Sequence, residues 1–161
     1  MKLPISNIDT IDMEEAGDGK TFKGRVGSFS DLFGLKGMGC NVVELEPGDK
    51  AWPYHLHYGH EELFVILSGA GTIRFDSEEY PVKSGDVIYA PPGEGTAHQI
   101  INTSGKLLRY LALSTKENPE TCYYPDSGKY ASFAWDDKGQ QSSIFIAHES
   151  SRMPYHDDEE G

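Results

Sequence analysis

Two cysteines in 161 residues, Cys40 and Cys122, are too few for a disulfide framework, and they are not spaced as a CxxC pair. That excludes a disulfide-stapled secreted scaffold and leaves two reduced thiols in a cytosolic protein as the expected state. Cys40, beside apolar strand residues, reads as a small buried hydrophobe. Cys122, next to two tyrosines, carries no signal of its own. Basic residues are also scarce, with 14 Lys and Arg against 26 Asp and Glu and a net charge of −12. So anionic a surface repels phosphate backbones and anionic lipids, and neither nucleic acid nor a membrane is expected as a partner. Long apolar runs are missing. The longest, Leu63 to Leu67, is far too short to cross a bilayer. No apolar segment of signal-peptide type follows Met1-Lys2-Leu3-Pro4. A cytoplasmic location is the expectation.

No helix-length periodic segment interrupts residues 40 to 114, which excludes a βαβ fold. What is present instead is a steady series of short strands punctuated by turns, in a chain with 18 glycines and 9 prolines. Asn41 to Glu46 stops at Pro47-Gly48-Asp49. Tyr54 to Tyr58, Glu62 to Leu67 and Thr72 to Asp76 follow, with Ser77-Glu78-Glu79 as the expected hairpin turn. Val87 to Ala90 ends at Pro91-Pro92-Gly93, and His98 to Asn102 and Leu107 to Ser114 complete the set. Strands of this length at this spacing predict an all-β sandwich or barrel.

The flanks are less regular. Ile5, Ile8 and Ile11 recur at threes, as either a helical turn or an arm across a sheet. Phe22 to Gly27 resembles an edge strand, and Ser30 to Gly39 has turn character. After Ser114 come Asn118-Pro119 and Tyr123-Tyr124-Pro125-Asp126-Ser127-Gly128-Lys129, and Tyr130 to Trp135 and Ser143 to Ala147 read as further strands. Asp157-Asp158-Glu159-Glu160 reads as a solvated acidic tail. The expected organisation is one domain over 1–161, with an arm and edge strands over 1–37, a core over 38–115 and an extension over 116–161.

Chemistry concentrates in His55-Leu56-His57-Tyr58-Gly59-His60-Glu61-Glu62. Histidines two residues apart on a strand share a face. A carboxylate on the next strand can meet them, and imidazoles plus a carboxylate form the ligand set of a catalytic transition-metal site. Glu62 starts a strand apolar on both faces, where a carboxylate is costly unless paired or bound to a cation. Glu61 is the competing carboxylate and is expected to face outward. His98 supplies a fourth donor. His60 is expected in solvent, His148 and His156 on the surface, and Tyr54 and Tyr58 outside the barrel. Tyr89, Phe64, Phe75 and Ile100 are candidate pocket residues or simple barrel filling.

Two motifs then carry a resemblance. Gly48, six residues, His55-Leu56-His57, four residues, Glu62, six residues and Gly69 is similar to the first motif of the cupins, the double-stranded β-helix family. Gly85, five residues, Pro91-Pro92-Gly93, four residues, His98, three residues and Asn102 is similar to their second motif, with two residues added before the histidine. The resemblance covers roughly residues 38 to 115. It implies a conical double-stranded β-helix (jelly-roll) barrel holding one divalent metal on His55, His57, Glu62 and His98. Mn²⁺, Fe²⁺, Ni²⁺, Zn²⁺ and Co²⁺ all suit that donor set. It also implies a small-molecule substrate or ligand. The first functional reading is a sugar or sugar-phosphate isomerase or epimerase, which would need a cation for the phosphate from among Arg74, Lys83, Lys106 and Arg109. The alternatives are a non-haem metal-dependent dioxygenase and a non-catalytic ligand-binding or metal-binding module. Strands apolar on both faces and long extensions suggest a homodimer.

Overall fold

The computed structural model describes residues 3–136 and 141–157. Thirteen strands make up nearly all of its regular structure. Strands β1 (Glu14–Gly17), β2 (Lys23–Ser28), β3 (Met38–Leu45), β5 (Glu62–Ser68), β8 (Val87–Ala90) and β10 (Leu108–Thr115) form a six-stranded antiparallel sheet in the order β1-β2-β3-β10-β5-β8. Strands β6 (Ala70–Phe75), β7 (Glu78–Lys83) and β9 (His98–Ile101) form a second sheet in the order β7-β6-β9. Strands β4 (Leu56–His57), β11 (Glu120–Tyr124), β12 (Lys129–Trp135) and β13 (Gln141–His148) form a third, in the order β13-β12-β11-β4. An antiparallel bridge between His55 and His98 joins the last two sheets into one layer. The architecture is the double-stranded β-helix.

Alternation along each strand decides what fills the space between the layers. Val43, Leu45, Phe64, Ile66, Leu108 and Tyr110 point inward from the six-stranded sheet and meet Ile73, Val82 and Ile100. On the other face of β5, Leu63, Val65 and Leu67 are only half-buried, not enclosed as the two-sided apolar pattern predicts. Gly69 sits at φ 83°, and a Cβ there would lie 2.3 Å from the Leu107 carbonyl oxygen, so this motif glycine makes room for backbone.

Several local expectations are corrected. The β6–β7 hairpin turns on Asp76 and Ser77, both at positive φ, rather than on residues 77–79. β2 is an interior strand, because β1 takes the edge. Residues 29–33 form a one-turn helix, α1 (Phe29–Phe33), capped by the Ser28 hydroxyl accepting from the Asp31 N–H. The isoleucine-bearing N-terminal segment is an arm rather than a helical turn. Arg109 clasps it through Asp9 (2.5 Å) and the Ile8 carbonyl. After Asn118-Pro119, where the sequence pattern assigns no element, the chain forms β11, which pairs with the histidine segment through Cys122↔His57. Of the acidic tail only Asp157 lies within the described residues; residues 158–160 lie outside them.

Candidate metal centre

β4 with the bridge residue before it, β5 and β9 bring His57, His55, Glu62 and His98 to one place. The closest atoms are Nε2 of His98 and Oε2 of Glu62, 2.7 Å apart. Nε2 of His57 lies 3.4 Å from the same oxygen and 3.1 Å from Nε2 of His55. Donor atoms of His55, Glu62 and His98 all fall within 4.8 Å of one another. Adjacent positions around an octahedral ion with bonds of about 2.1 Å are about 3 Å apart, so these separations fit one ion. The two residues added before His98 do not pull it away. Its backbone is locked to His55 by two hydrogen bonds, His98 N–H to His55 O at 2.8 Å and His55 N–H to His98 O at 3.2 Å.

The remote side of each ring fixes its tautomer. Nδ1 of His55 lies 2.8 Å from the Pro53 carbonyl, and Nδ1 of His98 lies 3.1 Å from the Thr96 carbonyl. A carbonyl only accepts, so both Nδ1 atoms carry the proton and both Nε2 atoms are left to face the common point. Nδ1 of His57 lies 3.2 Å from Oε1 of Glu120, which plays the same part. Nε2 of His98 and Oε2 of Glu62 are buried without a hydrogen-bond partner among the described residues. With its Nδ1 committed to the Thr96 carbonyl, His98 holds Nε2 2.7 Å from the Glu62 carboxylate, a buried pair of donors that a cation between them would bind. The residues fit a divalent ion.

The electrostatics agree. Burial, with His57 and His98 nearby, pushes His55 down to about 4, so the ring is neutral at pH 7. Burial raises Glu62, but the hydrogen-bonding and charge of His98 and the charges of His57 and His55 outweigh it and bring the group to about 2. Burial lowers His57 as well, yet Cys122, Glu120 and Glu62 together raise it to about 10. In the metal-free protein His57 is thus the cation that balances the buried acids.

A cavity of about 490 Å³ opens onto these groups, walled by Trp52, Phe64, Tyr124, Phe133 and Trp135. Glu61 is not in it; its carboxylate accepts from the Tyr89 hydroxyl at 2.8 Å on the outside. Tyr89 is exposed and Phe75 packs on the core, so of the four candidate pocket residues Phe64 and Ile100 reach the cavity. Tyr54 is buried with Leu56 and Ala97, and Tyr58 stacks on Tyr130. One expectation fails. His60 is not in solvent: its side chain is 11% exposed, Nε2 lies 3.1 Å from the Glu117 carbonyl and 3.6 Å from Oε2 of Glu120, and the ring lines the cavity. Cys122 is buried, with its sulfur 3.2 Å from Nδ1 of His57. Glu120, buried and also at the cavity, was not singled out from the sequence at all. Glu120, Cys122 and Tyr124 line the cavity at i, i+2 and i+4, and that alternation was the available signal.

Among the described residues no lysine or arginine lines the cavity. Arg74 forms a bidentate pair with Asp126 at 2.7 and 2.9 Å and lies over the Tyr54 ring. Arg109 is engaged with Asp9 and Glu44, and Lys83 and Lys106 are exposed.

The family model of the cupin domain matches residues 41–114. The oxalate-binding protein of Thermotoga maritima is 35% identical over 71 residues, 44% of this chain and 56% of that protein. The chain spans about half the length of the curated relatives it matches, 46% and 56%. Among solved structures, a proposed sugar phosphate isomerase of Acidithiobacillus ferrooxidans superposes with a TM-score of 0.81 at 24% identity, covering 95% of each chain. A sugar phosphate isomerase of Silicibacter pomeroyi superposes with a TM-score of 0.76 at 25% identity, covering 91% of this chain and 94% of that one.

Proposed function

This chain is a cupin, with the family's domain over residues 41–114, and from that premise we propose that it is a metal-dependent enzyme of the sugar isomerase or epimerase type. One observation carries the reading. Three imidazole Nε2 atoms and one carboxylate oxygen converge, while the Nδ1 sides of the same rings are held by Pro53, Glu120 and Thr96. His55, His57, Glu62 and His98 would hold one divalent ion with positions left for substrate. A bound ion would supply Lewis-acid stabilisation of negative charge on adjacent hydroxyl and carbonyl oxygens.

The chain's own residues do the rest. Trp52, Tyr124, Phe133 and Trp135 exclude water and offer flat apolar faces to the C–H side of a small polyol. Gln99 donates to the Trp52 carbonyl at 2.6 Å and holds that wall in place. Glu62 and Glu120 line the cavity and, among the described residues, no lysine or arginine does, so an uncharged sugar is favoured over its phosphate ester. The Silicibacter neighbour, named a sugar phosphate isomerase and matched over nine-tenths of both chains, supports the reaction type.

A second reading, binding without turnover, rests on the likeness to the Thermotoga oxalate-binding protein. Elemental analysis of protein purified without added metal comes first. The metal-loaded protein is then incubated with aldoses, ketoses and oxalate in D₂O and followed by NMR. Solvent deuterium appearing beside the carbonyl supports the isomerase. No exchange on any sugar, with saturable oxalate binding, overturns it in favour of the binder.

The two free thiols suit a reducing, cytoplasmic setting. The exposed Ile144, Phe145 and Ile146 of edge strand β13, with Val87 and Tyr89 on the large sheet, support a homodimer. A sedimentation mass near that of one 17.8 kDa chain contradicts it.

A further inference from the structure

His57 differs from its two partners. His55 and His98 are each oriented by a single backbone carbonyl, which costs no buried charge. His57 instead presents Nδ1 to a carboxylate and a thiol, both buried and both on β11. Orientation alone does not need both. Oε1 of Glu120 receives Nδ1 of His57 at 3.2 Å and the Gly59 N–H at 3.4 Å. Oε2 is buried and has no hydrogen-bond partner among the described residues. The ring of His60 is 3.6 Å from that oxygen, but its Nε2 is committed to the Glu117 carbonyl at 3.1 Å. A buried carboxylate with one idle oxygen is costly without a cation.

From this cluster we propose a second metal site, formed by Nδ1 of His57, Sγ of Cys122 and the carboxylate of Glu120, with His57 bridging it to the first centre. The donors are spaced for it. Nδ1 to Sγ is 3.2 Å, Nδ1 to Oε1 is 3.2 Å, and Sγ to Oε1 is 4.0 Å. Tetrahedral coordination by N, O and S at ordinary bond lengths separates donors by about 3.4–3.6 Å. The thiol selects borderline and soft ions, Zn²⁺ or Co²⁺ before Mg²⁺ or Mn²⁺. Filling the site while the first is occupied removes the thiol proton and the last imidazole proton of His57 to solvent, and leaves an imidazolate between two dications. His57, Glu120 and Cys122 all line the cavity, so an ion held by them would sit at its wall. The inference shares His57 with the proposed function but stands or falls separately, because the other donors of the two sites are different residues.

The test is a titration of chelator-stripped full-length protein with Co²⁺, followed by absorbance and calorimetry. Two equivalents are expected, the second bringing a thiolate-to-cobalt charge-transfer band in the near ultraviolet. Cys122→Ser is expected to lose that band and one equivalent while keeping the other. Glu62→Gln is expected to weaken the first equivalent and retain the band. One equivalent without a sulfur band, or two equivalents unchanged in Cys122→Ser, overturns the second site. X-ray absorption of the zinc-loaded wild type is independent of any variant. A Zn–S shell at about 2.3 Å supports the assignment, and a shell of only N and O removes it.

Discussion

Oε1 of Glu120 lies 3.2 Å from Nδ1 of His57, 63 residues before it in the chain. This contact connects the C-terminal hairpin to the motif histidines. It turns Nε2 of His57 toward Glu62 and makes β11 part of the site.

Glu120→Ala is therefore expected to weaken metal retention at the proposed four-residue centre by roughly 10–100-fold, the usual effect of losing an orienting carboxylate behind a ligating histidine. Competition against a chromophoric chelator measures it. Affinity equal to wild type in a folded variant contradicts the role.

His57→Ala is expected to abolish most metal retention, whereas His60→Ala is expected to leave the first equivalent intact, because His60 faces Glu117 and Glu120 rather than Glu62. Elemental analysis of the two purified variants decides. Equal loss in both means the ligand assignment is wrong.

Stability of the metal-free protein is expected to peak near neutral pH. His55 is depressed from 6.5 to about 4 by burial, so its contribution is complete above pH 6.5 and is lost as pH falls toward 4. His57, lowered by burial but raised further by its acidic neighbours to about 10, contributes fully below pH 6.5, and that contribution is lost as pH rises toward 10. Thermal melts in the presence of chelator across this range check the shape. His57→Gln is expected to flatten the alkaline limb and, by removing a charge that lowers His55, to soften the acid limb as well. A wild-type curve that climbs steadily through the alkaline range is inconsistent with the raised His57.

Asn102, fully buried, donates from Nδ2 to the carbonyls of Leu45 at 2.7 Å and Lys106 at 2.8 Å, and accepts from Ser104 N–H and Oγ. Its role is to fasten the end of β9 to β3. Asn102→Ala strands buried carbonyls and is expected to cost about 3 kcal/mol in denaturant unfolding, with the metal stoichiometry preserved. A change below about 1 kcal/mol contradicts that role.

Local sequence patterns made much of this architecture legible. His55 and His57 at i and i+2, Glu62 at the head of an apolar strand, and His98 and Asn102 after a Pro-Gly turn all announce themselves through period-2 alternation and turn chemistry. The fold brings those four candidate donors together. Glu120 and Cys122 were not legible in the same way. Their strand is five residues long, lies just after Asn118-Pro119 and runs into Tyr-Pro-Asp-Ser-Gly, so its turn residues mask its alternation. Their value comes from the Cys122↔His57 pairing, a contact between distant segments that no local pattern encodes. His60 was misread for a related reason. Its loop position suggests solvent, but Glu117 and Glu120 close over it from the far segment.

The paired backbone hydrogen bonds between His55 and His98 stitch two sheets together at the very residues whose rings face the centre. Those two rings behave as the fixed jaws of a calliper, with a gap set by the barrel's seam. Differences in ionic radius at the proposed centre would then fall on the carboxylate of Glu62, because the ring of His57 is held from behind by Glu120 and Cys122. Selectivity among divalent ions would thereby rest on the one acid of the set.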